Sequence, residues 1–195
     1  MKLRLLKLAV VFLWLVLTSI TVTGEAAALD GVLGVTWGAS PQDVKQVMDK
    51  TGFTLWKEDN DPQSGYYATY ADGLYAGYSV TGLTFSFLSN QAYAAKVSIS
   101  DKRADIQAAY ADLKKLLTQK YGLPKPEVVL HIPVNMPGVR TTVMDTYVTE
   151  WTLDNGSELP FTIALNKNPT WGTVEVYYAN KALREKLKTQ SRQDI

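Results

Sequence analysis

Apolar positions change period several times along this chain, and each change marks an element. Residues 41–50, PQDVKQVMDK, place Val44, Val47 and Met48 at i, i+3 and i+4, the spacing of one helix face. Ser40 precedes that stripe as a cap. Pro41 stands at the first helical position, where a missing N–H costs nothing, and Asp43 puts negative charge at the positive end of the helix dipole. Gly52 can take the left-handed conformation that ends a helix. Trp37, just ahead of the cap, is expected to pack back on the first turns as a core anchor.

The period then falls to two. FTLWK, 53–57, reads as a short strand, and EDNDPQSG, 58–65, as an acidic loop. In YYATYADGLYAGYSVTGLTFSFLSNQAYAAKVSIS, 66–100, Asp72-Gly73 is a two-residue hairpin signal and Thr81-Gly82 a second. Counting outward from those turns sets Tyr67 opposite Tyr78 and Tyr78 opposite Phe85. One face then collects Tyr67, Leu74, Tyr78, Val80, Leu83, Phe85 and Phe87, and a three-residue loop at 89–91 brings Tyr93, Ala95, Val97 and Ile99 onto it. The other face is small and polar except for Tyr66, Tyr70 and Tyr75, with Tyr70 directly across from Tyr75.

A second helix is predicted over 103–121, where Ile106, Tyr110, Leu113, Leu117 and Tyr121 recur every three to four residues before Gly122 and Pro124 stop it. A proline-rich connection, 123–139, surrounds a short strand at Val128–Ile132. Alternating strands follow at about 141–153, 160–166 and 172–179, with Asn155-Gly156 as a turn, and a short basic helix at 180–190 carries Leu183 and Leu187 on one stripe. Short connections between most strands make the sheet antiparallel. The expected architecture is α+β: an antiparallel meander sheet with helices packed on one face, arranged as a degenerate duplication of a helix-then-sheet unit with halves at about 29–100 and 101–195.

The beginning of the chain has a different pattern. Lys2, Arg4 and Lys7 precede the apolar run LAVVFLWLVLTSI, and Ala26 and Ala28 stand at −3 and −1 of a cut after Ala28, the order of a secretory signal peptide. The stretch Leu8–Val22 has 15 residues and includes Thr18, Ser19 and Thr21, short of the ~20 apolar residues of a spanning helix. Residues 1–28 are therefore expected to be removed, leaving a single domain, 29–195, periplasmic or secreted, with no membrane span. The leader takes with it three of the 20 Lys and Arg and one of the 19 Asp and Glu, so the remaining formal charge is −1. That balance gives nucleic acid no basic face. The chain has no cysteine, which excludes disulfides, thiolate metal sites and a lipid-bearing anchor.

Candidate chemistry is sparse. His131 is the single histidine, and no G-x-S-x-G or S-x-x-K motif accompanies it. Glu58, Asp59 and Asp61 begin like a calcium loop, but Gln63, Ser64 and Tyr70 occupy positions where the pattern asks for Asp, Gly and Glu. No cofactor, metal or catalytic set is assigned. The feature with binding potential is the outer face bearing Tyr66, Tyr70 and Tyr75, since exposed tyrosines supply rigid amphipathic contact area. The reading is an exported, non-enzymatic protein that binds a protein or an envelope polymer through that face. The alternative is a cell-envelope hydrolase with a carboxylate or metal site drawn from Asp59, Asp61 or His131.

Several segments together carry a family likeness: GVLGVTWGASPQDV (31–44), FSFLSNQAYAAKVSI (85–99), YADLKKLLTQKYGLP (110–124), EWTLDNG (150–156) and VEVYYANKALREKL (174–187). With the leader they resemble small bacterial exported proteins of unknown function that open on W-G-x-S-x-x-D/E-V. More distantly, the helix-then-sheet plan is similar to the β-lactamase-inhibitor-protein fold and to the BamE lipoprotein of outer-membrane assembly. That resemblance implies protein binding on an open sheet face, although this chain lacks the lipid-bearing Cys of BamE.

Overall fold

A computed structural model describes residues 30–61, 65–100, 106–134, 142–153, 161–168 and 172–193. The leader and the Asn155-Gly156 turn lie outside the described residues. After a two-stranded ribbon, β1 (Gly31–Val32) with β2 (Val35–Thr36), comes α1 (Pro41–Lys50). Its start is a capping box: the Ser40 hydroxyl accepts from the Asp43 N–H at 3.2 Å, and the Asp43 carboxylate accepts from the Ser40 N–H at 3.3 Å. Val44 and Met48 are fully buried, and Trp37 packs half-buried against the same core.

The main sheet has eight strands in the order β3-β4-β7-β8-β12-β11-β10-β9, every neighbouring pair antiparallel. The first half supplies β3 (Thr54–Asp61), β4 (Gly65–Ala71), β7 (Gly82–Leu88) and β8 (Gln91–Ser100). The second half supplies α2 (Ile106–Tyr121), then β9 (Val128–Val134), β10 (Thr142–Leu153), β11 (Phe161–Asn168) and β12 (Thr173–Asn180). Each half is a helix followed by a four-strand meander, and the last strands of the two meanders, β8 and β12, pair at the centre. The α+β architecture and its meander sheet are those expected from the pattern, and the two halves repeat one topology.

A single core fills the space between this sheet and α1 with α2. It runs from Val44, Met48, Tyr70, Phe85 and Phe87 of the first half to Leu113, Leu117, Trp151, Val176 and Tyr178 of the second. The Trp151 indole N–H donates to the Gly122 carbonyl at 3.0 Å, tying the end of α2 to the sheet. The third helix, α3 (Lys181–Gln193), lies against β7, β8 and β11 and is capped by the Asn180 side chain, which accepts from the Leu183 N–H at 2.9 Å. Leu183 packs with Tyr93, Ala94, Tyr177 and Ala179, which alternate along β8 and β12 with the core residues Ala95, Val97, Val176 and Tyr178. Successive strand residues point to opposite faces, so α3 covers the face away from α1 and α2, and the expectation of helices on one face only is corrected.

One register expectation is overturned. Strand β4 does not pair with 74–80. It pairs directly with β7, placing Tyr66 opposite Phe87, Ala68 opposite Phe85 and Tyr70 opposite Leu83. Residues 72–81 leave the sheet and form their own hairpin, β5 (Leu74–Tyr75) with β6 (Tyr78–Ser79), around Ala76 and Gly77, whose φ values of 51° and 86° are both left-handed. Asp72-Gly73 serves a bend, where a Cβ on Gly73 would meet the Phe53 ring at 2.3 Å. The excursion reverses the parity of the count, so Tyr66, Ala68 and Tyr70 face the core and Tyr67 faces away from it. A second correction follows at the next turn. Ser89 and Asn90 form a two-residue turn, both left-handed, and a bulge makes Tyr93 the extra residue of β8. Tyr93 thereby joins Ala94 under α3, while Ala92 and Ala95 are buried in the main core.

Candidate functional site

The three tyrosines expected on an open face do not form one. Tyr70 is 1% exposed and meets Phe85 edge-to-face, ring centroids 6.2 Å apart. Burial, with Glu58 and Asp49 adding to it, pushes its phenol up to about 12. Tyr66 is half-buried, tilted against Phe87 with its hydroxyl donating to the Glu58 carboxylate, and burial raises its pKa. Tyr75 is half-buried in β5, and its hydroxyl is hydrogen-bonded to that of Tyr178 in β12. The face that does alternate away from the core carries Tyr67, Tyr93 and Tyr177, with the Arg184 guanidinium of α3 5.7 Å from the Tyr93 ring centroid.

The acidic stretch is also placed differently. Glu58, Asp59 and Asp61 belong to strand β3 rather than to a loop, and residues 62–64 lie outside the described residues. Asp59 accepts from Lys57 at 2.8 Å. His131 stands on β9 directly across from Asp145 on β10, its Nδ1 2.7 Å from the carboxylate, both side chains largely in solvent. A polar cluster lies under α2. The Tyr110 hydroxyl donates to Glu127 at 2.6 Å, Lys114 donates to the same carboxylate at 2.9 Å, and Thr149 joins them. The buried Lys167 ammonium sits 4.1 Å from the Tyr147 ring centroid and 4.8 Å from that of Tyr110, and donates to Gln107 at 2.7 Å. These groups satisfy one another and fasten α2 to the sheet.

Among the described residues the sheet ends at β3 on one side and at β9 on the other. Edge strands present unpaired backbone N–H and C=O groups, and native edges are normally blunted by charge or a bulge. Strand β3 has both: Lys57, Glu58, Asp59 and Asp61 lie along it, and a bulge between Leu55 and Lys57 turns out Trp56. Strand β9, VVLHIPV, has neither, and only Pro133 interrupts its donors. Val129 and His131 point to the face that Tyr147 shares with α2. On the opposite face Val128, Leu130 and Ile132 are 52%, 46% and 39% exposed. The sequence showed this run as a strand, but an unbroken apolar run normally reads as buried, so its exposure was not visible there.

No protein-family model, curated protein sequence or solved structure matches the chain.

Proposed function

We propose that this is an exported, non-enzymatic protein that binds a partner protein by accepting an extended segment of it along β9. Export rests on the leader's order of basic start, short apolar run and small residues. Binding rests on one observation: the sheet's edge β9 is mostly apolar and has no Lys, Arg, Asp or Glu, while the opposite edge β3 is charged and bulged. An added strand would satisfy two demands at once. Its backbone would pair with the groups of Val128–Ile132 that face away from β10, and its alternate apolar side chains would cover Val128, Leu130 and Ile132. A folded surface or a polymer would meet only the second demand. The site of contact is thus moved from the tyrosine face to the edge.

The experiment is an in-cell crosslink with a photoreactive residue at position 130 of the exported protein, and a control probe at exposed Lys115 on α2. A discrete higher-mass band from position 130 alone, lost when Ile132→Lys is added, is the expected result. No band, or the same band from both positions, overturns the reading.

A further inference from the structure

A second site lies away from this edge, and none of its lining residues belongs to β9 or β10. The β1–β2 ribbon, the β5–β6 hairpin and the C-terminal half of α2 bound a half-enclosed cleft of about 330 Å³. Ligand pockets begin at about 300 Å³. At the ~30 Å³ that a water molecule occupies, the cleft has room for about ten non-hydrogen atoms. Its walls are apolar, Val32 and Leu33 on the ribbon side and Leu116 and Leu117 on the helix. Its polar groups are gathered together. The Tyr75, Tyr121 and Tyr178 phenols line it, and the Lys120 ammonium lies at its mouth, 5.0 Å from the Tyr121 ring centroid.

Each of these groups can donate, and one phenol has a proton to spare. A hydroxyl carries a single proton, so the hydrogen bond between Tyr75 and Tyr178 uses one of their two and leaves the other to be donated. Burial pushes the Tyr75 phenol up to about 12 and raises that of Tyr178 as well, so both keep their protons in neutral water. The hairpin that forms one wall is fastened across α2 by the Tyr78 hydroxyl, which donates to Asp112 at 2.8 Å.

We propose that this cleft binds a small amphipathic carboxylate, its hydrocarbon part between Leu33 and Leu116 and its carboxylate against the tyrosine hydroxyls and Lys120. Apolar walls disfavour a sugar or a free inorganic anion, and the Lys120 ammonium beside the spare phenol proton favours an anion over a cation. The pocket thus has the general form of small-molecule sites, apolar with a few convergent polar groups.

Octanoate, an eight-carbon chain ending in a carboxylate, is the probe, titrated by calorimetry and by amide chemical shifts. Saturable one-to-one binding is expected, with shifts at Val32, Leu33, Tyr75 and Leu116. Leu116→Trp, at an exposed helix position, should fill the mouth and abolish binding. Lys120→Met, also at an exposed position, should weaken it about tenfold, and octanol should bind correspondingly worse than octanoate. Should Leu116→Trp not fold, the Lys120→Met titration decides alone. Absence of saturable octanoate binding overturns the proposal, and so does binding that Lys120→Met leaves unchanged.

Discussion

Individual residues in this protein act mainly by how completely their polar atoms are paired. Ser40 and Asp43 cap α1 through reciprocal backbone contacts, so Ser40→Ala should cost about 1 kcal/mol, read as a lower denaturation midpoint. Tyr70 is a packing residue beside Phe85 and Leu83. Tyr70→Ala should destabilise by about 3 to 5 kcal/mol while leaving the position-130 crosslink intact in whatever protein remains folded. Glu127 supplies a pH dependence. The Tyr110 hydroxyl, then the Lys114 ammonium, hold its carboxyl below the ordinary 4.5. A group with a lowered folded pKa stabilises above its unfolded pKa and loses that stabilisation as pH falls through the folded one. Stability should therefore decline on the acid side of 4.5, and Glu127→Gln should make that decline shallower in denaturation midpoints measured across the acid range.

Elements differ in how much of their placement was legible beforehand. Helix α1 was, because cap, proline, apolar stripe and terminal glycine are all local signals that agree. The strands of the second half were legible too, since Tyr147, Trp151, Val174, Val176 and Tyr178 alternate toward the core as their spacing requires. The 66–88 region was not, because three glycine turns compete there and only one arrangement buries the right face. Asp72-Gly73 has the stronger hairpin signature, but Ala76-Gly77 makes the two-residue turn. Pairing β4 with β7 buries Tyr70, Phe85 and Phe87 together, a gain the local turn preference does not outweigh. Helix α3 also depends on context: its basic surface and two leucines look weakly amphipathic until the Tyr93–Ala94–Tyr177 surface lies beneath it. Leu187, 1% exposed, should cost about 2 to 5 kcal/mol as Leu187→Ala. Ending the chain at Asn180 should expose that surface and raise the binding of an apolar fluorescent dye.

At the scale of the whole molecule the two halves share one core. Each is a helix with a four-strand meander, yet their core residues form one cluster and β8 pairs with β12 along seven residue positions. Residues 29–100 alone would leave β8 as an open apolar edge carrying Val97 and Ile99. That fragment should show no cooperative thermal transition by circular dichroism, and co-expression with 101–195 should restore one. The asymmetry of the intact sheet, charged at β3 and apolar at β9, is also a property of this scale. It arises because the topological repeat puts the first strand of each meander at an end of the sheet, and these two strands differ in charge: LWKEDND closes one end and VVLHIPV the other.

The sequence by itself determined the α+β class, an antiparallel meander sheet, and the limits of α1 and most of the later strands. Those features follow from period, caps and turn residues, each read within a few neighbours. Tertiary structure alone decided which face Tyr66, Tyr70 and Tyr75 occupy, that β8 and β12 join the halves, that α3 covers the second face, and that β9 is an exposed edge. Each of these depends on which distant strand lies alongside. A single ten-residue excursion between β4 and β7 reverses the face assignment of β4, and no local pattern records that choice.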